Sequence, residues 1–183
     1  MYFNIYDDVS IRNYNLKDKK AILIRILEPS YKVSGIPYII NNINQYKDIL
    51  ELYIEDTIIG SQIINKENVF DYEKAKILND FILKNDFDEV VVHCSLGISR
   101  SPAIMICIAK MLNNSKLENI IKERYKFYNE YIVNVFERTN YSIKIVDTID
   151  KIDGNVISKK YEDLVDDEFN KLLIYENSSF IKK

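Results

Sequence analysis

Several residue types are scarce in this chain of 183 residues, which has no Trp, one His, two Cys, three Pro and four Gly. Two cysteines do not make a disulfide framework, and no paired Cys or His spacing indicates a zinc site. The N-terminal segment MYFNIYDDVSIRNYN lacks the basic and apolar regions of a secretory signal. No apolar run approaches the roughly 20 residues that span a bilayer. The sequence therefore predicts a cytoplasmic protein with reduced cysteines and no membrane segment.

Composition and charge exclude further classes of protein. Hydrophobic residues make up 47% of the chain and charged residues 29%, which are ordinary proportions for a globular protein. The net charge of −3 and the pI near 5.3 argue against a protein that grips the phosphate backbone of nucleic acids. We expect no nucleic acid partner, and the length fits one domain with an appendage. The oligomeric state is left open.

Apolar patterns divide the chain into alternating strands and helices. Three segments have the composition of buried or half-buried strands, namely 21–27, 48–56 and 88–94. Helical spacing occurs in 70–85, 99–114 and 117–140, the last as one long helix or two shorter ones. The predicted core face of the helix at 70–85 consists of Ala75, Ile77, Leu78, Phe81 and Ile82. This alternation predicts an α/β layer structure.

The most informative segment is EVVVHCSLGISRSPAIMICIAKML, residues 89–112. His93 and Cys94 stand where the predicted strand ends. The loop from Cys94 to Arg100, here called the Cys94 loop, leads into an apolar helix. A strand, a short loop and a buried helix in this order direct backbone N–H groups and the helix dipole at an anion. Because the loop lacks the Gly-rich run and the Lys of a nucleotide-binding P-loop, the sequence predicts a phosphate site without a nucleoside triphosphate.

The side chains of this segment suit nucleophilic chemistry. A thiol at the start of the loop lies in the field of the amides and Arg100, which favours the nucleophilic thiolate. Arg100 can hold two phosphoryl oxygens with its planar guanidinium group, and Ser101 can donate a hydrogen bond to the sulfur. Taken alone, Cys94 and His93 would be interpreted as core residues, but the spacing of the set favours a site. Cys107 lies within the apolar helix and is predicted to belong to the core.

The stretch VHCSLGISRS resembles the active-site loop of the cysteine-dependent protein tyrosine phosphatases, which has His-Cys, five residues, Arg, then Ser or Thr. Within that superfamily it is most similar to the dual-specificity phosphatases. The resemblance covers about residues 21–136 and implies a mostly parallel central sheet flanked by helices. We therefore expect a phosphatase domain at residues 1–140 and a C-terminal extension at residues 141–183, packed on that domain. The extension has apolar positions at Leu164, Phe169, Leu172, Leu173 and Ile174.

The resemblance also implies a mechanism through a phosphocysteine, with no metal and no cofactor. Cys94 would be the nucleophile, Arg100 would bind the phosphoryl group, and Ser101 would assist the departing sulfur. His93 would support the loop rather than transfer protons. The phosphate-binding residues would be Ser95, Leu96, Gly97, Ile98, Ser99 and Arg100.

The family's general acid is an Asp on a separate loop before the Cys, and two residues are candidates. LYIEDT matches an apolar strand that ends in Asp, which points to Asp56. It lies 38 residues before Cys94, farther than is usual, so SQIINKENVFD would contain an insertion. Asp71 is the competitor, and we interpret it as a helix N-terminal residue. Arg124 falls where many relatives have a basic residue. The Pro-Asn step that follows this residue in the family is absent here, and FYNEY stands in its place. We therefore interpret Arg124 as part of a solvated helix face.

The substrate is the least determined property. Loops of inositide-directed relatives tend to carry Lys among the five residues, whereas this loop has no basic residue before Arg100. The leading hypothesis is hydrolysis of phosphoprotein or phosphopeptide monoesters, phosphotyrosine with or without phosphoserine and phosphothreonine. The alternatives are a phosphatase of small phosphorylated metabolites or RNA 5′ ends, and a phosphate-binding module with little turnover.

Overall fold

Four parallel strands form a sheet in the structure, a computed structural model that describes residues 1–36, 39–57 and 66–139. The strands are β1 (Tyr2–Tyr6), β2 (Ala21–Leu27), β3 (Asp48–Tyr53) and β4 (Glu89–His93), and their order across the sheet is β1-β4-β2-β3. Each pairing among them is parallel. The carboxyl ends of the strands therefore lie at one edge of the sheet, where ligands bind in open α/β proteins.

Helices connect the strands and follow the last of them. They are α1 (Tyr31–Ser34), α2 (Tyr72–Lys84), α3 (Arg100–Met111), α4 (Ser115–Arg124) and α5, which runs through residues 130–139. Short 3-10 turns lie at Ser10–Asn13, Ile43–Gln45 and Lys66–Asn68. The side chains of Asp71 and Asn114 cap α2 and α4, whereas α3 begins after Ser99 without a side-chain cap. None of the helices within the described ranges is long and apolar enough to cross a membrane.

The hydrophobic core lies on both faces of the sheet. Every residue of β2 is buried, as expected for a central strand with a nearly continuous apolar sequence. Ile22, Ile24 and Ile26 face the larger cluster, which also contains residues of α2, α3 and α5. Ala21 and Leu23 belong to the smaller cluster on the opposite face, because successive residues of a strand alternate. Burial on two sides fixes the register of the central strands and the position of their carboxyl ends.

The predicted fold class is confirmed, since the chain is an α/β protein with a central parallel sheet flanked by helices. β2 has the predicted bounds, and the segment 117–140 follows the alternative with two helices, α4 and α5. The strand predicted at 48–56 ends at Tyr53, so residues 54–56 lie beyond it. The extension predicted at residues 141–183 lies outside the described residues.

Two details of the sequence analysis differ from the structure. The core position predicted for Ile77 is wrong, because its side chain is 48% exposed. It follows the buried Ala75 by two residues, about 200° around the helix, and so faces away from the sheet. β1 was not predicted. Its sequence YFNIY has the polar Asn4 at its centre, and a strand that is only partly buried has a weak apolar pattern.

A buried carboxylate joins the N-terminal part of the chain to the sheet. Glu89 begins β4 and is fully buried. Its Oε1 accepts hydrogen bonds from Asn4 Nδ2 at 2.9 Å and from the hydroxyl of Tyr14 at 2.6 Å. Its Oε2 accepts from the backbone N–H groups of Lys17 at 2.7 Å and Asp18 at 2.9 Å. Four donors offset the cost of burying this group and hold β1 and the following turn against β4.

Glu89→Gln is expected to lower the free energy of unfolding by about 2–4 kcal/mol, because the new amide NH2 group would face backbone N–H donors. Denaturant titration measures the change. Glu137→Gln is the matched control, since this half-exposed carboxylate pairs with Lys110 at 2.7 Å and its loss costs at most about 1 kcal/mol. Equal stability losses in the two variants would contradict the role given to Glu89.

Candidate active site

The Cys94 loop lies at the carboxyl edge of the sheet, between β4 and α3. The end of β1 holds its first residues. The N–H of Cys94 donates to the carbonyl of Tyr6 at 3.4 Å, and the N–H of Asp8 donates to the carbonyl of Ser95 at 3.4 Å. The loop is therefore supported by the backbone of the neighbouring strand as well as by β4.

Gly97 brings the loop closest to β1. Its φ is +69°, and a Cβ at this position would lie 2.9 Å from backbone atoms of Tyr6 and Asp7. The positive φ and the close contact both require glycine. In this conformation the N–H of Gly97 donates to Cys94 Sγ at 3.2 Å. Cys94 is 2% exposed, and this backbone donor fixes the position of its sulfur within the loop.

The start of α3 lacks a side-chain cap. Ser99 occupies the N-cap position but does not cap the helix, because its Oγ donates to Asp56 Oδ1 at 2.7 Å. No group in the described part of the chain accepts a hydrogen bond from the backbone N–H of Leu96, Ile98 or Ser99. Open N–H groups at a helix N-terminus bind phosphate. The loop can therefore offer several donors to one oxyanion.

The guanidinium group of Arg100 is buried and held by the protein on one side. Nη1 donates to the carbonyl of Ile54 at 2.8 Å, and Nη2 donates to Glu28 Oε1 at 2.5 Å and to Ser95 Oγ at 3.3 Å. Ser95 Oγ in turn donates to the same Glu28 oxygen at 3.2 Å. Nε is buried, makes no hydrogen bond within the described residues, and lies 3.9 Å from Asp56 Oδ2. The group is thus oriented, and Nε remains available to a ligand.

Asp56 reaches the Cys94 loop. Its Oδ1 accepts hydrogen bonds from Ser99 Oγ and from Asn129 Nδ2, both at 2.7 Å. Its side chain is 41% exposed, so a substrate oxygen has room to approach. The structure therefore brings together Asp56, Arg100 and the loop. Part of the insertion predicted in SQIINKENVFD lies outside the described residues.

Three residues set aside in the sequence analysis lie where it placed them. Asp71 caps α2, where its Oδ1 accepts from the N–H of Lys74 at 2.9 Å. Arg124 is exposed at the end of α4, over the ring of Tyr125. Cys107 is fully buried in α3, and burial raises the pKa of its thiol, which makes it a poor nucleophile.

His93 and Ser101 flank the loop and are fully buried. Ser101 Oγ makes no hydrogen bond to a described residue, so its assistance to the sulfur of Cys94 stays a prediction. Burial lowers the pKa of His93 to about 3, and Arg25 acts in the same direction while Asp7 opposes it. Arg25 is the residue opposite His93 in the register of β2 and β4. The imidazole is therefore neutral at physiological pH.

Two residues of the site were not foreseen. Glu28 follows β2 and is not part of a recognisable motif. Its position directly after a central strand was the only feature of the sequence that could have indicated a role in the site. Asn129 lies within FYNEY, where the family pattern has Pro-Asn. Because the Pro-Asn step as a whole is absent from FYNEY, the sequence analysis gave Asn129 no role.

At the level of sequence, no protein-family model matches the chain and neither does any curated protein. Among solved structures, the chain is similar to the human tyrosine phosphatase-like serine/threonine/tyrosine-interacting protein. The two share 20% sequence identity over 79% of this chain and 93% of the other, with a TM-score of 0.49.

Gly97→Ala is expected to destabilise the protein more than Gly35→Ala and to abolish binding of inorganic phosphate. Both glycines have a positive φ, +69° and +80°, so each substitution carries a backbone strain of about 1–3 kcal/mol. A Cβ at Gly97 would also collide with β1, whereas nothing lies within 4 Å of one at Gly35. Denaturant titration and calorimetry measure the two effects. Equal phosphate affinity in both variants would mean that the contact with β1 does not shape the loop.

His93 is expected to stay neutral in the folded protein down to about pH 4 and to titrate near pH 6.5 when unfolded. Because folding lowers the pKa, the unfolded state binds more protons, and the free energy of unfolding falls by about 1.4 kcal/mol per pH unit from about pH 6.5 toward pH 3. The chain has one His, so NMR follows this imidazole directly. His93→Asn should remove this part of the pH dependence, and a folded-state titration near pH 6.5 would contradict it.

Proposed function

We propose that the chain is a cysteine-dependent phosphatase that hydrolyses phosphate monoesters of phosphoproteins through a phosphocysteine intermediate. The proposal is carried by the thiol of Cys94, which accepts a backbone N–H at 3.2 Å. The loop around it has further N–H groups without an acceptor among the described residues. A thiol in this position is a nucleophile beside an oxyanion site. Arg100 and Asp56 supply the two other groups that this chemistry uses.

In the first displacement, the sulfur of Cys94 attacks phosphorus in line with the leaving oxygen. The S–P bond forms while the P–O bond to the substrate breaks, and Asp56 gives its proton to the leaving oxygen. The loop N–H groups and Arg100 stabilise the charge on the three equatorial oxygens. The exposed side of Asp56 leaves room for the leaving group, which an in-line displacement places on the side of the phosphorus opposite the sulfur.

In the second displacement, water attacks the phosphocysteine. Asp56, now a carboxylate, takes a proton from the water as the new O–P bond forms, and the S–P bond breaks. Inorganic phosphate and the thiolate of Cys94 are released. The N–H of Gly97 stabilises the departing sulfur, and Ser101 adds a second donor once its hydroxyl turns to the sulfur. No step in this scheme needs a metal or a cofactor.

The charges around the loop favour a monoester over a ligand with several phosphates. The carboxylate of Glu28 lies on one side of Arg100, and that of Asp56 lies on the other. The five residues before Arg100 include no cation that would balance a second phosphate. Leu96 and Ile98 are 71% and 50% exposed, and such apolar side chains suit the ring of phosphotyrosine. The preferred substrate is therefore phosphotyrosine in a protein or peptide.

Hydrolysis of p-nitrophenyl phosphate and of a phosphotyrosine peptide, with a chelator present, tests the proposal. The wild type is expected to turn over both, and Cys94→Ser is expected to lose turnover of both, because a serine hydroxyl is not ionised at neutral pH. Cys107→Ser is the matched control and should keep full activity. Asp56→Asn should lower peptide hydrolysis about 10²-fold or more, since the tyrosine phenolate leaves poorly without a proton.

The possible outcomes separate the mechanism from the substrate. Full turnover by Cys94→Ser would rule out the phosphocysteine. A folded wild type that binds the peptide without hydrolysing it would be a phosphate-binding module instead of an enzyme. Faster hydrolysis of small phosphorylated metabolites or RNA 5′ ends than of the peptide would overturn the substrate class and leave the mechanism in place.

A further inference from the structure

Asn129 is buried where three segments of the chain meet. Its Nδ2 donates to Asp56 Oδ1 at 2.7 Å and to the carbonyl of Thr57 at 2.8 Å. Its Oδ1 accepts from the N–H of Ile132 in α5 at 3.0 Å. Its backbone N–H donates to the carbonyl of Ser99 at 3.1 Å. One residue thus contacts the proposed general acid, the Cys94 loop and the start of a helix.

These contacts allow a single orientation of the side-chain amide of Asn129. A reversed amide would place Oδ1 against the carboxylate of Asp56 and the carbonyl of Thr57. It would also place the NH2 group against the N–H of Ile132, where two donors would face each other. The helix contact therefore fixes which end of the amide points at Asp56, and that end is a donor.

The two carboxylate oxygens of Asp56 differ as a result. Oδ1 accepts from both Asn129 and Ser99, each at 2.7 Å. Oδ2 accepts no hydrogen bond from a described residue and lies 3.9 Å from Nε of Arg100. A proton on Oδ1 would compete with two donors for the same oxygen. In the protonated acid the proton is therefore on Oδ2, the oxygen nearer to Arg100.

We propose that Asn129 is a positioning residue, which holds Asp56 so that the oxygen that carries the proton is turned toward Arg100 and the phosphoryl site. This inference rests on the proposed function, because it states how the general acid presents its proton. Asn129 does not touch the substrate and acts through Asp56. Because Asn129 also contacts the carbonyl of Ser99, it fixes the distance between Asp56 and the Cys94 loop. Proton transfer in the transition state requires such positioning.

The test compares two substrates that differ in their need for a proton. Phenolate leaves poorly without protonation, whereas p-nitrophenolate is a stable anion that leaves without help. Asn129→Ala is expected to lower kcat/KM for phenyl phosphate about 10²-fold and kcat/KM for p-nitrophenyl phosphate less than about 3-fold. The ratio kcat/KM is used because it reports the first displacement, in which the leaving oxygen is protonated.

Asn114→Ala is the matched control for the loss of a helix cap. Asn114 Oδ1 accepts from the N–H of Leu117 at 3.0 Å, as Asn129 Oδ1 does from Ile132, but it lies away from the site. This variant should leave kcat/KM unchanged for both substrates. Should Asn129→Ala fail to fold, Asn129→Ser keeps a side-chain acceptor for the N–H of Ile132, is too short to donate to both Asp56 and Thr57, and is expected to show the same selective loss.

Three results would overturn the inference. Equal losses on both substrates would mean that Asn129 supports the loop and not the acid, and no loss on either would mean that Asp56 needs no positioning. In the Asp56→Asn background, Asn129→Ala should cost nothing further on phenyl phosphate, and an equally large additional loss would show independent action. A wild type inactive on both substrates would instead remove the proposed function itself, and this inference with it.

Discussion

The backbone of the Cys94 loop lies directly against the backbone at the end of β1, and the site depends on this contact. Gly97 has no room for a side chain there, and the conformation that the contact imposes directs an N–H at the sulfur of Cys94. β1 is itself fixed by its pairing with β4 and by the buried carboxylate of Glu89. The environment of the thiol is therefore created by a strand far away in the sequence, and the stability of that strand becomes a condition of the reactivity proposed for Cys94.

The balance of charge at the candidate site leaves little net positive charge to attract an anion. The positive charge of Arg100 is already matched by Glu28, and Asp56 adds a second carboxylate nearby. His93 lies beneath the loop as a neutral group and contributes no charge. In the proposed reaction, a phosphate dianion would be held largely by backbone N–H groups and by the dipole of α3, and their contribution depends on their orientation. This requirement accounts for the rigid support of the loop from β1 and β4.

The residues of the candidate site could be identified from the sequence more fully than the residues that support them. Cys94, Arg100 and the helix after them lie within one short segment whose spacing is itself the signal, and the strand at Ala21–Leu27 has a continuous apolar pattern. Asp56 could be proposed because it follows a strand. Glu28 and Asn129 could not be assigned, since their roles arise from contacts between segments more than 70 residues apart. β1 was missed because a half-exposed edge strand has a weak pattern, although it shapes the loop.

The missing cap of α3 has a thermodynamic consequence. In α2 and α4 a side chain satisfies the first turn of the helix, whereas in α3 the hydroxyl of Ser99 is directed at Asp56 and the N–H groups are left open. An oxyanion that binds there would accept hydrogen bonds from these N–H groups, as a side-chain cap does in α2 and α4. Anion binding would therefore stabilise the folded state. Any anion of this shape, including the phosphate that the proposed reaction releases, would then act as a folding ligand as well as an occupant of the site.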